Sequence, residues 1–196
     1  MLLCGIDEAG RGPLAGPVCA AAVILPETFS SNLLDDSKKL NPATREKLKH
    51  SICIEALAWG IGWASAVEID QINIHNATLL AMKRAFETMI NASAEPIAPG
   101  QIRAVIDGRF VPDIPVMCES LIKADNQIPA VMAASILAKT ARDRLMEYYS
   151  IFYPQYGYER HKGYPTKAHR EAIVRWGPSP IQRMSFSCGI SCNSFH

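Results

Sequence analysis

Gly5-Ile6-Asp7-Glu8-Ala9-Gly10-Arg11-Gly12-Pro13-Leu14-Ala15-Gly16-Pro17 decides how the rest of the chain is read. Two acids close a short apolar run that begins at Leu2, and a glycine- and proline-rich stretch separates it from a second run, Val18 to Leu25. Such punctuated runs read as strands, here Leu2 to Asp7 and Val18 to Leu25, with Ala9 to Pro17 as a loop. Neighbouring strand residues point to opposite faces, so Asp7 and Glu8 share one site only if the strand ends or twists there. Gly10 and Gly12 allow such a break, because glycine accepts backbone conformations closed to other residues.

Further along, Asn41-Pro42 places an N-cap before a proline at the first helical position and opens a charged amphipathic helix to about Ile54. Ala56 to Val67 reads as a third strand. Ile74, Leu79, Met82, Phe86 and Met89 recur at helical spacing in a core-facing helix from about Asn73 to Ile90. A strand from Arg103 to Ile106 ends at Asp107, and another, Val116 to Ile122, leads to Asp125. Pro129 begins a long helix to about Tyr149, and Thr166 to Trp176 forms a further one. Asn91 to Gly100 and the tail after Ser179 read as loose. Three strands, a helix, then strands alternating with helices indicate an α/β class with a mixed sheet covered by helices.

The 196 residues suffice for one substantial core, and no repeat or linker divides them. A single domain over residues 1–196 is expected, with a helical C-terminal part over about 150–186 and a loose tail over 187–196. The longest unbroken apolar run, Val18 to Leu25, is too short to span a bilayer, and no basic region precedes Asp7 and Glu8. A cytoplasmic protein is therefore expected. The cysteines at 4, 19, 53, 118, 188 and 192 contain no CxxC pair, which points to reduced thiols rather than a disulfide scaffold. Cys188, Cys192 and His196, spaced by four, offer the alternative of a metal-site fragment.

A net charge of +1 says nothing of a polyanionic partner, but its distribution does. Residues 1–36 hold one base and five acids, whereas residues 137–175 hold eight bases, four acids and two histidines. That layout suits a polyanion held on a basic flank and presented to an acidic centre that cations neutralise. Two unrelated solvated faces are the alternative.

Asp7, Glu8, Asp107 and Asp125 each stand where a strand runs into a loop. The ligand crevice of an open α/β sheet lies outside the carboxyl ends of its strands, so these acids can converge from distant parts of the sequence. Two unit charges about 4 Å apart repel by roughly 4 kcal/mol at an effective dielectric near 20, so clustered carboxylates need cations or protons. Ligands that are all oxygen select hard ions such as Mg²⁺ or Mn²⁺. Two such ions clamp the attacking water and the leaving oxygen of a phosphodiester. For each acid taken singly, a turn or cap role is the alternative. Gly10-Arg11-Gly12 adds a loop that lets backbone approach a ligand and an arginine fork suited to phosphate. A dinucleotide fingerprint fits worse, because Gly16 comes one residue late, Pro13 is poorly placed and no helix opens there.

Asp36-Ser37-Lys38-Lys39-Leu40, Ile106-Asp107-Gly108 and Lys123-Ala124-Asp125 extend the pattern, followed by Ala133-Ala134-Ser135-Ile136-Leu137-Ala138-Lys139, Ala141-Arg142-Asp143 and His161-Lys162-Gly163-Tyr164-Pro165-Thr166. With the opening stretch, these segments resemble the ribonuclease HII family, in the family's order and over almost the whole chain. The resemblance implies the ribonuclease H-like fold, a five-stranded mixed sheet flanked by helices, and cleavage of the RNA strand of RNA-DNA hybrids. It implies that Asp7, Glu8, Asp107 and Asp125 are the catalytic acids and bind two Mn²⁺ or Mg²⁺ ions. Gly10, Arg11 and Gly12 would form the loop that senses an RNA-to-DNA junction, and Tyr164 would pack beneath the nucleotide there. Backbone groups of a glycine loop can reach the 2′-hydroxyl that separates RNA from DNA, and a tyrosine supplies stacking.

Lys38, Lys39, Lys123, Ser135, Lys139 and Arg142 are expected at the substrate, positioning the duplex without reading its sequence. Lys139 and Arg142 have structural roles as their alternative, and Asp143 is read as the ion-pair partner of a nearby base. Position 124 is alanine where the family often has glycine, and the tail from Ser187 matches no shared motif. The expected reaction leaves 5′-phosphate and 3′-hydroxyl ends in hybrids and on the 5′ side of single ribonucleotides embedded in duplex DNA. A monomer away from membranes is expected. Two rivals stay open: a non-catalytic nucleic-acid module with structural acids, and a related nuclease that prefers long hybrids.

Overall fold

Leu2–Ala9 forms β1, the central strand of a five-stranded sheet, in a computed structural model that describes residues 1–30, 34, 42–93 and 95–188. On one side β2 (Val18–Ile24) and β3 (Ala58–Ala64) continue the sheet antiparallel. On the other, β4 (Ile102–Asp107) and β5 (Met117–Leu121) continue it parallel. The order is β3-β2-β1-β4-β5, the mixed α/β sheet expected from the sequence.

Helices cover both faces. α2 (Ala66–Ala92) packs on one, burying Ala77, Ala81, Met82, Phe86 and Met89 against Cys4, Ile6, Ala22 and Ile106 of the strands. α1 (Pro42–Glu55) and α3 (Pro129–Phe152) share the other face, where Ile52, Met132 and Leu137 meet Cys19, Ala21 and Val23. Small residues let α2 lie close to the sheet: a Cβ at Gly62 would fall 2.1 Å from the Ala81 carbonyl oxygen and 2.3 Å from the Ala85 nitrogen. α4 (Tyr158–His161) and α5 (Lys167–Trp176) build a smaller tyrosine-rich cluster at the far end of α3, around Met146, Tyr156 and Tyr158.

Three boundaries differ from the sequence reading. β1 runs on through Ala9, beyond Asp7, because its last residues still pair with Ala20 and Cys19 of β2. α2 begins at Ala66, inside the expected third strand, because Ser65 and Glu68 form a reciprocal capping box. Asn73 (φ 65°, ψ 164°) then kinks that helix, and its Oδ1 accepts from the Asn76 amide at 3.1 Å, so the start read near Asn73 is the cap of the second half.

The third difference is the segment after Ser179, expected to be loose. The amide of Gly16 donates to the Ile181 carbonyl and that of Arg183 to the Leu14 carbonyl, both at 2.8 Å. The amides of Met184 and Ser185 both donate to the Asp70 carboxylate at 2.9 Å. This segment is a strap across the Gly10–Pro17 loop. Asn41, Lys38, Lys39, Cys192 and His196 lie outside the described residues. No helix among the described residues is long and apolar enough to cross a membrane.

Replacing Gly62 by alanine forces α2 off the sheet at a backbone contact that no rotamer change relieves. Urea unfolding of the Gly62→Ala protein should show a loss of about 2 kcal/mol or more, within the range for overpacked cores.

Candidate active site

The parallel pairing of β1 with β4 sets the site. Its last register pair is Ile6 with Ile106, so Asp7 and Asp107 are the next residues on adjacent strands. Both point to the α3 side, as do Gly5, packed against the Ala130–Val131 backbone, and Val105, packed against Val131. Asp125 arrives from a single 3₁₀ turn, Ala124–Asn126, entered through Lys123 in the left-handed conformation (φ 60°). The Ala124 amide donates to Asp107 Oδ1 at 3.0 Å, tying that turn to the end of β4.

Carboxylate oxygens of Asp7, Asp107 and Asp125 lie within 4.8 Å of one another. No Glu8 oxygen falls within this group. Glu8 borders the site instead, 3.4 Å from the Arg11 guanidinium, and still feels the charge of Asp107. Asp7 is 5% exposed. Burial above all, then the charge of Glu8, pushes its carboxyl well above the ordinary value of 3.8, against the Glu8 amide and the Ser135 hydroxyl that bond it. Burial likewise raises Glu8, opposed by Arg11. An oxygen-only set with one carboxylate held out of water suits a hard divalent cation.

The Gly10–Pro17 loop hangs on two buried guanidiniums. Arg183 of the strap, 0% exposed, donates from Nε to the Gly16 carbonyl at 2.8 Å and from its two amino groups to the Arg11 carbonyl at 2.9 Å and the Gly10 carbonyl at 2.6 Å. Arg142 of α3, 1% exposed, donates to the carbonyls of Pro17 at 3.0 Å, Lys162 at 3.0 Å and Ala15 at 3.2 Å. Burial and the neighbouring Arg142 charge push Arg183 down to about 9, which leaves it cationic at neutral pH. Gly10 (φ 97°) is required, since a Cβ there would fall 1.9 Å from Arg142 Nε.

Of the two readings given for Arg142, burial and three bonds to backbone carbonyls favour the structural one, in which it shapes the loop. Ser135, expected at the substrate, bonds Asp7. Lys139 pairs with Asp143 at 2.7 Å, the partner expected of Asp143, and its Nζ lies 5.9 Å from the centre of the Tyr164 ring. Lys123 is exposed beside Asp125, and Arg11 is exposed next to Glu8. Tyr164 is 40% exposed, and a Cβ on Gly12 would sit 3.7 Å from its Cε1, so ring and loop form one surface. Arg183 went unread in the sequence, where a lone arginine in a polar tail carries no signal.

A sequence model of the ribonuclease HII family matches residues 4–188. The chain belongs to the ribonuclease HII family. It is 55% identical over 194 residues to the ribonuclease HII of Treponema denticola, covering 94% of this chain and 98% of that one. The ribonuclease HII of Chlorobium luteolum is 50% identical over 190 residues, 94% of this chain and 88% of its own. Among solved structures, ribonuclease H2 from Pyrococcus horikoshii OT3 superposes with a TM-score of 0.74 at 26% identity, covering 96% of this chain and 95% of that one. RNase HIII from Bst, solved with Mn²⁺, shares the fold with a TM-score of 0.72 at 18% identity, over 96% of this chain and 68% of that one. The ribonuclease H-like fold expected from the sequence is present. Ribonuclease HII is an endoribonuclease that cuts the RNA strand of RNA-DNA hybrids, and the acidic cluster fits a metal site.

Because the folded-state value of Asp7 is raised above its unfolded one, it costs stability once pH exceeds the unfolded carboxylate value, increasingly so up to the raised value. At neutral pH with chelator, Asp7→Asn should therefore melt above wild type. A divalent cation at a hundred times its Kd should stabilise wild type by about 2.7 kcal/mol and the variant far less, read by thermal melting.

Proposed function

We propose that this chain hydrolyses the phosphodiester on the 5′ side of ribonucleotides, in hybrids and at single ribonucleotides embedded in duplex DNA. The products are 5′-phosphate and 3′-hydroxyl ends. The observation that carries the reading is the convergence of Asp7, Asp107 and Asp125 within 4.8 Å, beside a loop built to approach a ligand with its backbone.

In this reading Asp7, Asp107 and Asp125, with Glu8 at the border, hold two divalent ions, Mg²⁺ or Mn²⁺. When bound, such ions activate water and stabilise the leaving oxygen of a phosphodiester. The residues of the chain do the rest. Asp7, fixed by the Glu8 amide and Ser135, presents its carboxylate in one orientation. Asp107 is fixed by the Ala124 amide. Gly10, Arg11 and Gly12 meet the nucleotide at the junction, with the Gly10 and Arg11 carbonyls held inward by Arg183, so that the loop keeps its shape as the 2′-hydroxyl docks. Tyr164 stacks beneath the sugar or base at that point. Arg11, Lys123 and Lys139 meet phosphates, Lys139 exchanging Asp143 for the polyanion; Lys38 and Lys39 are assigned the same role on sequence grounds alone. The protein acts as a monomeric single domain.

A metal-independent binding module is disfavoured by Asp7, since burial and the neighbouring acids oppose its charge by more than the Glu8 amide and Ser135 offset. Preference for long hybrids over single ribonucleotides is the rival that the junction loop argues against.

Asp107→Asn keeps the acceptor for the Ala124 amide and removes the charge. Turnover on a duplex with one ribonucleotide should fall by more than about a hundredfold, since even outer partners of metal ligands are worth about 10–100-fold, with the melting curve intact. Absence of any 5′-side nick by wild type with either metal would reject the reading. Tyr164→Ala should raise KM on that substrate by about tenfold, the loss of one stack at roughly 1–3 kcal/mol. A larger loss on long hybrids than on single ribonucleotides would favour the rival.

A further inference from the structure

Two imidazoles without a part in the chemistry above lie face to face behind Tyr164. His161 and His169 have ring centroids 4.5 Å apart and planes 16° from parallel. Each holds one backbone group of the turn that carries the tyrosine. The Gly163 amide donates to His161 Nδ1 at 3.2 Å, and the Tyr164 carbonyl lies 3.0 Å from His169 Nδ1.

These bonds fix the tautomers. His161 accepts at Nδ1, so its proton sits on Nε2 and is donated to the Tyr156 carbonyl at 2.8 Å. His169 donates from Nδ1, which leaves Nε2 a bare lone pair, and that atom is buried with no partner. Phenylalanine would fill the same space without an orphaned nitrogen, so packing alone does not account for histidine at 169. The turn needs holding: Lys162 (φ 50°) and Gly163 (φ 84°) are both left-handed, and the Gly163 carbonyl accepts from the Leu14 amide of the Gly10–Pro17 loop at 2.8 Å.

We propose that His161 and His169 are positioning residues: as neutral imidazoles they fix the backbone of Gly163 and Tyr164 and so set the tyrosine ring beside Gly12 for substrate. This rests on the reading of Tyr164 as the stacking residue. A proton on His161 turns the acceptor facing the Gly163 amide into a donor and breaks that bond. A charge on either ring also faces the other. Around the pair, Tyr158 stands nearly perpendicular to both rings, Glu159 favours a charge on His161 and Lys162 opposes it, with Lys162 itself paired to Glu147 of α3. The Tyr164 and Gly163 carbonyls favour a charge on His169, and His161 opposes it. Burial outweighs these and holds both imidazoles below the ordinary 6.5, so the neutral pair prevails at neutral pH and is lost as pH falls below the imidazole range.

Kinetics on the single-ribonucleotide duplex, with amide NMR of the free enzyme, test this. His169→Phe keeps the ring and removes the donor; His169→Asn keeps a donor near the Nδ1 position and cannot titrate. The phenylalanine variant should raise KM by about tenfold, the scale of one lost stack, with kcat changed less than about twofold, and asparagine should restore most of it. In a Tyr164→Ala background His169→Phe should add nothing. The Gly163 amide resonance of wild type should move as the imidazoles titrate and stay fixed in His161→Asn. An equal KM rise in the Tyr164→Ala background, or a Gly163 resonance that ignores the titration, overturns the proposal. Should Tyr164→Ala itself leave KM unchanged, the stacking role fails, while the Gly163 resonance still decides whether the imidazoles hold the turn.

Discussion

A carboxylate removed from water and set beside two others is the least comfortable group in this protein, and the rest of the molecule makes sense around it. At about 4 Å a pair of like charges repels by roughly 4 kcal/mol even when well screened, so Asp7 would relax outward if anything in its neighbourhood yielded. Nothing does. The strand beneath it is central, paired on both sides and covered by helices on both faces. The Glu8 amide and Ser135 fix the carboxyl itself. The fold holds a charged cluster that a cation or a proton must neutralise.

Rigidity continues into the loop that follows. Ordinarily a loop rich in glycine is mobile, and its backbone polar groups are left to water. Here Arg142 and Arg183 hold the carbonyls of Gly10, Arg11, Ala15, Gly16 and Pro17 from within. Two cations so close repel each other, yet each charge is spread over a planar group bonded to carbonyl oxygens. The arrangement also places positive charge behind the face that a phosphodiester would approach.

Much of this was legible in the chain. β1, β2, β4 and the register of acids at strand ends followed from short apolar runs broken by glycine and proline, and the three aspartates meet as residues at carboxyl ends of a sheet should. The strand end was harder: the two glycines made an early end reasonable, but pairing with β2 carried β1 on to Ala9, with Glu8 at the border of the cluster. Ser65 at the head of α2 was masked by an apolar run that reads equally well as strand, although its capping box was present in the letters. The structural role of Arg142 was one of two readings of its motif, but Arg183 lay beyond reach for a different reason. An arginine that bonds carbonyls far away in sequence looks, in one dimension, like any surface base, and only burial distinguishes it.

The strap formed by residues 181–186 has a consequence for how the molecule is made. A ribosome delivers Asp7 and the glycine loop well before the guanidinium that sets that loop. The sheet and α2 can assemble around the nascent chain, but the loop keeps its loose ends until Arg183 has emerged and Asp70 has caught the two amides beside it. The shape of the loop is thus set across separations of 172 and 173 residues rather than by its own neighbours.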